Sequence, residues 1–225
     1  MPLYWQVEDL AKKISDIRRP EILEALQDSI LADGMNFPSY DQIAAHGDMS
    51  RQLIRHYFSN SDDMAVALCD ALEQAYRNLF VQSAILSDGG SRLGLFIDFY
   101  FNLLSHKGIS EPEDDKLYDA LFVYANRHEP LREKLQAGYQ LVQMTFAHEI
   151  QITYPDLPQQ ACRELGYMVV ATMYGHWKMV RTIGFSDYYT IVARNAVLRL
   201  IESYVDNHQE PEDTLEPPTD PDRSW

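Results

Sequence analysis

Apolar residues recur three and four positions apart along almost the whole chain, and no long stretch alternates as a strand would, so the pattern predicts helices from end to end. Leu10, Ile14 and Ile17 mark a first stripe, and Pro20 suits the first turn of a new helix. Ile22, Leu23, Leu26, Ile30 and Leu31 line the next face, which ends at Asp33-Gly34, where glycine can form a left-handed cap. Two short helices and a long one follow. Ser39-Tyr40-Asp41-Gln42 reads as a capping box opening a helix with Ile43 and Ala44 that stops near Gly47. Ser50 caps a second short helix carrying Leu53, Ile54, Tyr57 and Phe58. Residues 59–63 cap and charge the start of a third helix running from Met64 through Leu86. Five more helices are placed at about 92–105, 114–127, 129–153, 158–183 and 187–206. Beyond Asn207, Pro211, Pro217, Pro218 and Pro221 among many acids predict a disordered tail.

Composition narrows the class. At 225 residues, a folded chain buries about 70% of its unfolded surface and needs no disulfides or metal to fold. Cys69 and Cys162 are the only cysteines, which excludes a disulfide scaffold and fits a reducing compartment. No apolar run reaches the length of about 20 residues that spans a bilayer. The expectation is a soluble, cytoplasmic protein with no membrane contact. The net charge of −15 argues against a general polyanion binder. Residues 1–64 hold 6 basic against 11 acidic side chains, residues 65–206 hold 12 against 17, and residues 207–225 hold 1 against 6. Any nucleic-acid contact must rest on a few placed cations.

The segment 39–64 carries the clearest chemistry. Two short helices around a tight turn containing Gly47 make either a helix-turn-helix or a plain helical hairpin. In the first reading Arg51, Gln52, Leu53 and Arg55 face the bases, arginine matching guanine and glutamine matching adenine. Ser50, Tyr57 and the helix start at Ser61 then hold phosphates. Lys12, Lys13, Arg18 and Arg19 form the one basic cluster, which by pattern alone reads as a solvated helix face before a proline.

The run RRPEILEAL, continued by SILADGMNFPSYDQIAAHGDMSRQLIRHYFSNSDDM, resembles the N-terminal domain of the TetR family of transcriptional regulators. Arg19, Ile22-Leu23, Gly34, Ser39, Ile43-Ala44, Met49-Ser50, Ile54 and His56-Tyr57-Phe58 carry the resemblance, over roughly residues 18–65. It implies an all-α protein with a helix-turn-helix three-helix DNA-binding domain in residues 1–64, which includes an N-terminal extension. A larger helical ligand-binding and dimerisation bundle in 65–206 and the tail 207–225 complete the chain. By the same resemblance Ser39 and His56 join the DNA-facing set, the basic cluster Lys12, Lys13, Arg18 and Arg19 lies near the DNA backbone or minor groove, the partner DNA is a palindromic operator, and a small-molecule effector releases a homodimeric repressor. Three positions depart from the family pattern: the usual Ala-Gly of the turn is Gly47-Asp48, a usual tyrosine is Arg55, and a usual lysine is Ser61. A module on this fold that has lost DNA recognition, and binds a protein or small molecule, is the alternative.

In the second domain Phe96, Tyr100, Phe122, Arg127, His148, Tyr174 and Trp177 are the ligand-binding candidates, aromatic walls with a few polar groups to orient a molecule. Surplus acid beside these rings would suit a cation. The last two long helices are the dimer candidates: small residues Ala161, Gly166, Ala171 and Gly175 in one permit close approach, and Ile191, Val192, Val197, Leu198, Ile201 and Val205 give the other a broad apolar face. No enzyme constellation emerges. His148-Glu149 opens a zinc-protease pattern, but Ile152 stands where its second histidine would be. No cofactor or metal is expected.

Overall fold

The structure is a computed structural model, and it describes residues 3–33, 37–85, 91–105 and 115–207. Among these residues every regular element is helical: α1 (Leu3–Asp33), α2 (Tyr40–His46), α3 (Arg51–Tyr57), α4 (Ser61–Ile85), α5 (Arg92–Tyr100), α6 (Asp115–Ala125), α7 (Glu129–Thr153), α8 (Gln159–Trp177) and α9 (Tyr188–Asp206). The fold is all-α, as the periodicity predicts. A π-helical turn, Lys178–Thr182, extends α8.

Two boundaries differ from the sequence reading. No helix starts at Pro20; α1 runs straight through it. Proline removes one amide and so leaves the carbonyl four residues back without its helical donor. Ile17 to Pro20 are all exposed. The fifth helix stops at Tyr100, because Phe101 to Leu104 form turns in which Asn102 adopts a left-handed φ of 51°. The Gly34 cap and the tail beyond Asn207 lie outside the described residues.

The chain packs as two compact units. The first comprises Met1–Tyr76 and Pro112–Leu135, and its core joins Ile22, Leu26 and Ile30 of α1 to Ile43, Ile54, Phe58, Met64, Leu68, Leu117 and Leu121. The second comprises Arg77–Glu111 and Gln136–Trp225, around Leu93, Phe96, Ile97, Phe146, Ile150, Leu165, Val169, Val197 and Ile201. The first unit thus takes in a segment from far beyond residue 64. Leu117, Ala120, Leu121 and Ala125, one face of α6, bury their area in the first core, although α6 lies far along the chain.

Candidate nucleic-acid interface

Local sequence builds α2 and α3. Ser39 Oγ accepts from the Gln42 amide, and Gln42 Oε1 accepts from the Ser39 amide at 2.9 Å, the reciprocal box that satisfies two helix-start donors. Ser50 Oγ accepts from the Leu53 amide at 3.1 Å and starts α3 in the same way. Between them the Gly47 amide bonds Ile43 O and the Met49 amide bonds Ala44 O, both at 3.0 Å.

The turn divides its steric demands between two residues. A β-carbon on Gly47 would sit 2.8 Å from Ala25 Cβ of α1, so glycine is required there for approach. Its φ of −90° is ordinary. The left-handed residue is Asp48, with φ 45°. Aspartate tolerates that region better than most side chains, but glycine adopts it without strain. Asp48→Gly is expected to raise stability by about 0.5–1 kcal/mol, read as a higher denaturation midpoint with an unchanged m-value. A lower midpoint would show that the Asp48 side chain contributes more than its backbone strain costs.

Helix α3 is held at its far end as well. Ile54 and Phe58 are buried in the first core. Arg19 Nη1 donates to Tyr57 O at 3.1 Å, its guanidinium lies 4.4 Å from the Phe58 ring centroid, and Tyr40 Oη donates to Phe58 O. Cationic and phenolic donors thus meet the carbonyls at the end of the helix, where its dipole is negative. Arg19 is accordingly a strut for α3, a role that neither reading of the basic cluster included. Side-chain placements for Lys12 and Lys13 lie outside the described residues.

The outward face of α3 follows from this anchoring. Ser50, Gln52, Leu53, Arg55 and His56 line a shallow open groove, with Gln52, Arg55 and His56 exposed. Arg51 turns toward α2 instead, its Nη1 3.2 Å from Asp41 Oδ2, and the Arg55 guanidinium lies 5.6 Å from the Tyr40 ring centroid. Ser39 is exposed at the start of α2 and Tyr57 is half-buried. Ser61 is half-buried within hydrogen-bonding reach of the Tyr40 and Tyr124 hydroxyls, and Asn60 Oδ1 already accepts the Asp63 amide of the first turn of α4. Its neighbour Asp62 accepts from Tyr124 Oη and pairs with His128 Nδ1, both at 2.8 Å, while the Tyr124 and His128 rings stack at 3.8 Å. Burial, and then Asp62, push the Tyr124 hydroxyl well above its ordinary pKa, so it stays a donor. This knot joins residues more than sixty positions apart, and no spacing rule signals it.

No family model matches the chain, and no curated protein does. Solved structures do. A TetR-family transcriptional regulator from Cytophaga hutchinsonii superposes with a TM-score of 0.69 at 14% identity, over 84% of this chain and 95% of that one. A TetR-like regulator from Rhodococcus sp. RHA1 gives 0.62 at 15%, over 84% and 96%. The multidrug-binding protein EbrR, in complex with imidazole, gives 0.57 at 18%, over 81% and 94%. The chain has the TetR fold.

Within this TetR fold the seven ligand-binding candidates are divided between the two units. Phe122, half-buried against the first core, and Arg127, exposed, belong to the first unit. In the second unit Phe96 is buried against Phe80 at 4.1 Å and Phe146 at 5.9 Å, and Tyr100 meets Phe146 at 5.5 Å. Trp177 Nε1 donates to Tyr100 O at 3.1 Å, so Phe96, Tyr100 and Trp177 are linked. His148 and Tyr174 are exposed. His176 is buried with its Nε2 3.1 Å from Thr190 Oγ1, tying α8 to α9, and burial lowers its pKa.

The sequence reading passed over Glu149 as a site residue. Its carboxyl group is 2% exposed; Oε1 accepts from Arg92 Nη2 at 2.7 Å, and Oε2 is buried without a hydrogen-bond partner. Fifty-seven positions separate the two residues, so only the fold brings them together. Among the described residues no group of three or more His, Cys, Asp or Glu side chains is placed to hold a metal ion. Among them, also, no helix is long and apolar enough to cross a membrane.

Proposed function

We propose that the chain is a ligand-responsive, sequence-specific DNA-binding transcriptional regulator. In this reading it is a cytoplasmic homodimeric repressor, without enzymatic activity, that a small molecule releases from a palindromic operator. The observation that carries the reading is α3: a helix capped at one end, strutted at the other, and bare along a groove of hydrogen-bonding side chains. In a major groove Gln52 can pair bidentately with adenine, Leu53 can meet a thymine methyl, and Ser39, Ser50, Tyr57 and Ser61 stand around them toward the backbone. The TetR fold supports the reading, since two of its matches are described as transcriptional regulators and EbrR as a multidrug-binding protein.

The dimer is supported by exposed apolar side chains on the last two long helices. Tyr167, Met168 and Tyr174 of α8 and Tyr188, Ile191 and Val192 of α9 are all exposed, with Tyr188 at 70%, and a β-carbon at Gly175 would meet nothing. Exposed apolar side chains recurring at helical spacing mark a surface suited to a partner. A second copy applied through a twofold axis covers it. In a DNA-competent dimer the two α3 helices lie about 34–36 Å apart, one turn of the duplex. Ile191→Glu is expected to give a monomer by sedimentation and to lose operator binding at least tenfold. A dimer that survives this change would move the interface elsewhere.

The deciding experiment is binding of the purified chain to the DNA flanking its own gene, titrated with salt against scrambled duplex. Selective binding that weakens steeply with salt supports the reading. No selectivity at low salt, with or without candidate effectors, refutes it.

A further inference from the structure

The two arginines of α3 are both engaged by the first turn of α2. Arg55 lies over the ring of Tyr40, and Arg51 pairs with the next residue, Asp41. Both side chains of the ion pair are solvated, Arg51 at 48% and Asp41 at 70% exposure. Asp41 also sits at the start of a helix, where a carboxylate is favoured by the dipole, so its charge is well tolerated there. Among the described residues Arg51 has no other hydrogen-bond partner, and Asp41 takes only Nη1.

We propose that Asp41 acts as a specificity filter on Arg51, setting it to read a guanine in the operator half-site and withholding it from phosphates. The inference rests on the DNA-reading role proposed above. Its logic is that phosphate and base contacts ask different things of an arginine. Attraction to phosphate depends on net charge, and a guanidinium beside a carboxylate has nearly none to offer. The guanine edge is neutral and presents two acceptors, N7 and O6, in a fixed geometry. Pairing through Nη1 leaves Nε and Nη2, the other edge of the guanidinium fork, free to donate to both. The ion pair therefore suppresses sequence-blind binding while keeping the directional donors that discriminate. In a head with 6 basic and 11 acidic residues, this places the few cations at the service of sequence rather than of affinity.

The test is selection from a random-sequence duplex pool with the full-length wild type, Asp41→Asn and Arg51→Lys, followed by titration on the selected and scrambled duplexes. Wild type should enrich a half-site with a guanine at one position. Arg51→Lys, which keeps the charge but loses the fork, should lose that guanine and no other base. Asp41→Asn should bind scrambled duplex about two- to fivefold tighter, matching the worth of a solvated ion pair, with a salt slope steeper by about one phosphate contact. Its preference at the same guanine should flatten. All three proteins should remain folded at the assay temperature, with Asp41→Asn melting slightly lower for want of the ion pair and the helix-start charge. The filter is overturned if Asp41→Asn leaves both the scrambled-DNA affinity and the guanine preference unchanged, or if Arg51→Lys alters no base. Enrichment of nothing by wild type would instead refute DNA reading itself, and the filter with it.

Discussion

Removing the Arg92 guanidinium is expected to destabilise the chain by about 1–3 kcal/mol, between a solvated pair and a buried one, because Glu149 is buried while Arg92 is 72% exposed. Glu149 is 2% exposed and has no second partner in the described structure, so Arg92→Ala would strand the whole carboxylate. The paired change Arg92→Met with Glu149→Leu is expected to recover the loss or exceed wild-type stability. It removes the desolvated carboxylate, including its unsatisfied Oε2, and fills the space with carbon. Denaturant midpoints for the three proteins decide the matter. If Arg92→Ala costs less than about 0.5 kcal/mol, the value of an ordinary surface pair, then water already solvates the carboxylate.

The second large effect is on DNA. Gln52→Ala with His56→Ala is expected to weaken operator binding on the order of a hundredfold, from the lost adenine contact of Gln52 at about 1–3 kcal/mol and a lost DNA-facing contact of His56. Both side chains are exposed and neither belongs to the first core, so the melting temperature should not move. Fluorescence anisotropy on the selected operator and a parallel melt separate recognition from folding. Unchanged affinity would show that the groove on α3 is not the reading surface.

What was legible in the sequence was what lies within one helical turn. Ser39 with Gln42 and Ser50 with Leu53 are three residues apart, so capping chemistry alone located α2 and α3. Charge signs at the start of α4 were equally plain, since Asp62 and Asp63 are adjacent. The reading failed at Pro20 because a proline marks a helix start or a tolerated interior position depending on whether solvent reaches the abandoned carbonyl, which is a property of the fold. Arg51 is a subtler case. Its residue type and position suggested a base reader, but its direction depends on Asp41, ten residues earlier, and on the angle of the turn between them. Glu149 with Arg92, and Asp62 with Tyr124, were invisible for a simpler reason. Pairs that only tertiary packing creates leave no periodic trace.

The split turn has an evolutionary corollary. Positions 25 and 47 behave as a single steric locus, with room for one β-carbon between α1 and the turn, and this chain gives it to Ala25. The left-handed requirement is a separate constraint, resting on position 48 alone. Substitutions at 47 are therefore coupled to 25, and to the Met49 side chain whose Cε would lie 2.4 Å from a β-carbon there, while substitutions at 48 are not. An alignment of relatives should show alanine entering at 47 only where 25 has given up its side chain or α1 has shifted. Position 48 should drift between glycine, asparagine and aspartate without regard to either.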